Sequence, residues 1–79
     1  MLSPDQVRQY ISDNLSCEHL EVSGDGAHFE AVIVSAVFQG KSRVQRHQTV
    51  YKALGHRMRE EIHALSMQTL TPDEWRSRS

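Results

Sequence analysis

Glu18-His19-Leu20-Glu21-Val22-Ser23-Gly24-Asp25-Gly26-Ala27-His28-Phe29 decides how this chain folds. Leu20 and Val22 alternate with His19, Glu21 and Ser23, the period of a half-buried strand. Ser23-Gly24-Asp25-Gly26 supplies turn chemistry, because glycine takes positive φ without steric cost. A second strand, about Phe29 to Phe38, is expected to return antiparallel.

Upstream of this hairpin, Ser3, Pro4 and Gln6 form a capping-box pattern with proline at the first helical position. Val7, Tyr10, Ile11 and Leu15 follow at helical spacing, so a helix is expected over roughly 4–15. Downstream, Gly40 ends the second strand. The spacing of Val50, Tyr51, Leu54 and Met58 predicts one helix from about Val44 to Glu61, with Gly55 inside it at a cost of about 1 kcal/mol relative to alanine. A third strand is expected over Ile62 to Leu70, alternating Ile62, Ala64 and Ser66 with His63, Leu65 and Met67. Thr71-Pro72-Asp73-Glu74 is a second capping box and opens a short helix carrying Trp75.

The order is helix, strand, strand, helix, strand, helix. That predicts an α+β domain, a single unit over 1–79, with a three-stranded sheet and helices gathered on one face. Phe29, Phe38, Tyr51 and Trp75 are expected to fill or edge the thin core. A chain of 79 residues with 38% hydrophobic and 24% charged residues folds but leaves little room for an enclosed substrate cavity. No nucleophile, base and orienting group can be assembled, so a non-enzymatic role is expected. The single cysteine, Cys17, forbids an internal disulfide and reads as a small half-buried side chain. Met1 to Tyr10 lacks the pattern of a signal peptide, and no apolar run approaches the length of a membrane span. A cytoplasmic protein is expected.

The net charge of −1 hides a strong asymmetry. Residues 1–39 carry −5 and residues 40–79 carry +4, and residues 40–59 hold six basic side chains and no acidic one. Gly40-Lys41-Ser42-Arg43 enters a helix, where free amides and the dipole favour an anion, with Lys41, Arg43, Arg46 and Lys52 as candidate contacts for an anion or nucleic acid. The alternative is that these residues solvate the outer helix face. A domain pI near 6.5 and few aromatic residues fit nucleic-acid binding poorly.

Five histidines exceed ordinary usage, yet none has a diagnostic metal-binding spacing. His28 follows the glycine turn and His63 begins the third strand, so both imidazoles meet at one end of the sheet if that strand pairs beside the hairpin. Two imidazoles and no thiolate do not complete a four-ligand site, so a partner would supply the rest.

Phe38-Gln39-Gly40-Lys41-Ser42-Arg43-Val44-Gln45-Arg46-His47-Gln48-Thr49-Val50-Tyr51 resembles the signature of the BolA family. The resemblance continues through Ile62-His63-Ala64-Leu65-Ser66 and the Leu70-Thr71-Pro72 ending to Trp75. The loop that ends in His28 is similar to the branch with histidine between the first two strands. It implies a class II KH-like fold and a partner, a monothiol glutaredoxin, with which the chain would share a 2Fe-2S cluster.

By the resemblance, His63 and His28 would be this chain's metal ligands, with the glutaredoxin cysteine and glutathione supplying the others and no cofactor expected in the isolated protein. Two imidazoles in place of thiolates leave a less negative cluster whose ligation depends on pH. The resemblance also implies a stress-response or transcriptional regulator that binds DNA as the alternative function. Arg43 stands where a KH domain's G-x-x-G clamp has its second glycine, which weakens the analogy to RNA binding. His47 is expected to be structural or to touch a partner. Homodimerisation of the free chain is left open.

Overall fold

The computed structural model describes residues 2–78, so of the domain expected over 1–79 only Met1 and Ser79 lie outside the described residues. Helix α1 spans Pro4–Asn14. The Ser3 hydroxyl accepts from the Gln6 N–H at 3.2 Å, and the Ser3 N–H donates to the Gln6 side chain at 2.8 Å. These two bonds satisfy amides that a helix start leaves free. Strands β1 (His19–Gly24) and β2 (His28–Val34) pair antiparallel with Leu20 opposite Ile33 and Gly24 opposite Phe29. After a crossover through α2 (Arg43–Leu54) and α3 (Arg57–Glu60), β3 (Ala64–Leu70) pairs parallel to β2, which makes β2 the central strand. Helix α4 (Pro72–Ser77) follows β3 directly.

Val7 and Ile11 of α1, Val50 and Leu54 of α2, and Phe29, Ala31 and Ile33 of β2 form one buried cluster. Full burial of each large member contributes about 1.5–3 kcal/mol, so this thin interface between helices and sheet holds the domain together. Phe29 and Phe38 fill it, as their hydrophobicity implies. Tyr51 does not; it is 40% exposed. Trp75 lies half-buried at the sheet's rim, its ring stacked on His19 with centroids 4.4 Å apart.

The structure moves three boundaries. Strand β2 stops at Val34 rather than Phe38, because Ser35 donates its hydroxyl to the Ser16 carbonyl at 2.6 Å and accepts from the Val37 N–H. A 3-10 turn over Ala36–Phe38 follows and folds Phe38 back into the core, where periodicity alone could not distinguish it from strand. The helix expected over 44–61 is two. Gly55 adopts φ +59° and donates its N–H to the Tyr51 carbonyl at 2.9 Å, so it caps α2 instead of continuing it. Strand β3 begins at Ala64 rather than Ile62, since the Ile62 N–H is bonded to the carbonyl of Arg57, the first residue of α3.

Candidate functional site

His28 opens β2, and His63 occupies the bend immediately before β3. The parallel register sets His28 opposite Ala64, so the two histidines lie at the same end of the sheet on neighbouring strands. Both are exposed. No hydrogen bond or ion pair occupies either imidazole among the described residues. His28 also lines a surface cleft of about 490 Å³ together with Asp25, Glu30, Ala64 and Ser66.

Each histidine is held by its neighbours in the chain. On one side, the Asp25 carboxylate accepts from the His28 N–H at 2.8 Å and the Ala27 N–H at 3.0 Å, while the Asp25 N–H donates to the His28 carbonyl at 3.2 Å. Those amides, His28 first, hold the Asp25 carboxyl below its ordinary 3.8. A Cβ on Gly24 would stand 2.5 Å from the His28 carbonyl oxygen, so glycine permits the close return of the turn. On the other side, Ile62 is 3% exposed and anchors the chain one residue before His63. Glu61 accepts from the Tyr10 hydroxyl at 3.0 Å, and the Arg57 guanidinium lies over the Tyr10 ring.

The donor set suits a shared centre. Two accessible imidazoles stand at adjacent strand ends, and among the described residues no three His, Cys, Asp or Glu side chains cluster to hold a metal. Neutral imidazole is an established 2Fe-2S ligand in place of thiolate. Cys17 is not a competing donor: its Sγ bonds to the Leu15 carbonyl, and burial raises its pKa, which Arg8 only partly opposes.

The basic segment divides into two unlike halves. Lys41, Tyr51, Lys52, His56 and Arg59 line an open groove of about 890 Å³ along α2. Arg43 is exposed but does not line this groove. Arg46, expected among the anion contacts, is engaged within the fold. Its guanidinium donates to the Lys41 and Thr69 carbonyls and to both Glu74 oxygens, and its side chain is only 13% exposed. The Arg46 hydrogen bond, with help from the Thr71 amide, pulls the Glu74 pKa down to about 2. The anion site expected at the start of α2 is also partly filled, because Ser42 and Gln45 form a capping box that engages both of their amides.

His47 is half-buried, and its Nε2 is buried without a hydrogen-bond partner. Burial, then the charge of Arg43, lowers its pKa. This environment sets His47 apart from the exposed imidazoles of His28 and His63. Sequence reasoning did not single out Asp25, Glu74, His56 or Arg59. The Asp-Gly turn was a usable signal for Asp25, since aspartate bonds to amides two and three residues on. Nothing local pointed from Arg46 to Glu74.

The profile described as BolA-like protein matches residues 7–74. The chain belongs to the BolA family. This BolA-family chain is 39% identical over 71 residues to the acid stress protein IbaG of Escherichia coli (strain K12), across 89% of this chain and 84% of the relative. It is 40% identical over 67 residues to a Haemophilus influenzae protein named DNA-binding transcriptional regulator BolA, across 85% of this chain and 65% of that protein. A solved BolA homologue from Coxiella burnetii superposes with a TM-score of 0.85 at 43% identity, covering 96% of this chain and 99% of the other. BolA relatives thus bear names of a stress protein and a regulator rather than of enzymes. No helix among the described residues is long and apolar enough to cross a membrane.

Proposed function

We propose that this BolA-family chain is a non-enzymatic adaptor that binds a monothiol glutaredoxin and contributes His63 and His28 to a shared 2Fe-2S cluster, in iron-sulfur trafficking or iron regulation. The observation that carries this reading is the pairing of β2 with β3, which sets the two accessible histidines at one end of the sheet. Two imidazoles satisfy half of a four-ligand requirement, and the glutaredoxin cysteine and a glutathione thiolate fit the remainder. The chain's own part is to present both rings on short, backbone-bonded segments and to leave them free for a partner. When bound, the cluster supplies an iron-sulfur centre for transfer or sensing.

The test is an anaerobic titration of the protein into cluster-loaded monothiol glutaredoxin, followed by visible absorption and circular dichroism. A new spectrum that His63→Ala abolishes and His28→Ala alters is the expected result. Spectra unchanged in both variants would sink the assignment.

A DNA-binding regulator is the second reading, favoured by the basic groove beside α2. Lys41 and Lys52 would contact phosphate there and Arg43 beside it, while Arg46 is already engaged with Glu74. Duplex binding would then fall with salt, and each neutralised contact would lower the slope by about 0.9. Absence of binding at low salt removes this reading.

A further inference from the structure

The segment Gly24 to His28 is built more tightly than a surface turn between two strands requires. Both backbone groups of His28 are bonded to the same residue: its N–H to the Asp25 carboxylate at 2.8 Å and its carbonyl to the Asp25 N–H at 3.2 Å. The same carboxylate oxygen also accepts from Ala27, whose own carbonyl is bonded to the Ala64 N–H at 3.1 Å. Gly26 supplies the reversal at φ +99°, and Gly24 leaves the space that the His28 carbonyl and the Phe29 ring enter. Both backbone groups of Ala27 and of His28 are therefore bonded inside the turn or to β3. The imidazole itself takes part in none of these bonds.

We infer that Asp25 is a positioning residue: its carboxylate fixes the backbone of the 25–28 turn so that the His28 ring is presented toward the partner beside His63. This rests on the reading of His28 as a ligand. The physical reason is entropic. A ligand on a mobile loop must be ordered when the partner arrives, whereas a turn closed by three bonds to one residue has already been ordered during folding. Removal of the carboxylate leaves a single Asp25 backbone bond to hold the turn. Asn keeps the side-chain oxygen and its reach, so it would preserve the device, as is general for residues that close a turn on the amides two residues on.

The experiment compares Asp25→Ala, Asp25→Asn and His28→Ala in two measurements. The first is amide hydrogen exchange of the protein alone. Asp25→Ala is expected to speed exchange at Ala27 and His28 several-fold while Ile33 in the strand core is unchanged, and Asp25→Asn is expected to stay with the parent. The second is the circular dichroism of the complex with cluster-loaded monothiol glutaredoxin, where Asp25→Ala is expected to move toward the His28→Ala spectrum and Asp25→Asn to match the parent. Parent-like exchange in Asp25→Ala overturns the inference. So does a parent-like Asp25→Ala spectrum when His28→Ala has shifted. A parent-like His28→Ala spectrum instead overturns the ligand reading, and the inference falls with it.

Discussion

Ala64 donates its backbone N–H to the carbonyl of Ala27 at 3.1 Å, and the covalent neighbours of that pair are His63 and His28. One hydrogen bond of the β2–β3 ladder therefore ties together the two segments that carry the candidate ligands. Neither imidazole takes part in that bond, while the backbone beside each is tied into the sheet.

Arg46 joins the start of α2, the end of β3 and α4 through one guanidinium. Arg46→Ala is expected to cost about 2 kcal/mol, the scale of losing hydrogen bonds from a charged and mostly buried group. Arg46→Lys should recover only part, since an ammonium cannot match the two Glu74 oxygens bidentately. Urea unfolding measures both.

Glu74 carries a pH signature. Its folded pKa of about 2 lies below the ordinary 4.5, so its stabilisation is fully present above 4.5 and is lost as pH falls toward about 2. Urea midpoints of the parent should drop through that window, and the drop should be smaller in Glu74→Gln. Parallel curves would show that the Arg46 pairing contributes nothing.

His47 predicts a second window. Burial lowers its folded pKa below 6.5, so the unfolded chain takes up the proton more readily and stability declines as pH falls below 6.5. An NMR titration should place the His47 midpoint below 6.5. His47→Leu should flatten the change in thermal midpoint between neutral pH and pH 5.5, at little cost at neutral pH because the buried Nε2 has no partner to lose.

Gly55 separates two accounts of the 43–60 region by the sign of one substitution. In a continuous helix, Gly55→Ala would stabilise by about 1 kcal/mol. With φ at +59°, the same change should destabilise by roughly 1 kcal/mol or more. Gly24→Ala should also destabilise, by about 1–3 kcal/mol, for a different reason: the added Cβ meets the His28 carbonyl oxygen at 2.5 Å. Thermal denaturation of both variants reads the signs.

The Ser3 and Thr71 caps, the hairpin and the helix faces were legible because each is written within a few residues. Ser3 and Thr71 close the capping boxes they announce, and Leu20 and Val22 alternate as a strand with one face inward. His28 and His63 were suspected from placement and from the family signature, and the register bears out their common end of the sheet. The pairing of Arg46 with Glu74 is not legible in the same way, because the two lie 28 positions apart and share no local pattern.

The α+β order of elements is written in the chain, since hydrophobic period and capping chemistry act over one or two turns. Packing of distant segments is what makes Gly55 cap α2, folds Phe38 back from the end of β2, and closes Arg46 off against α4 while Lys41 and Lys52 line an open groove. Such outcomes depend on which distant groups are brought together and desolvated when the sheet and helices pack. Charge and period along the chain carry no record of that.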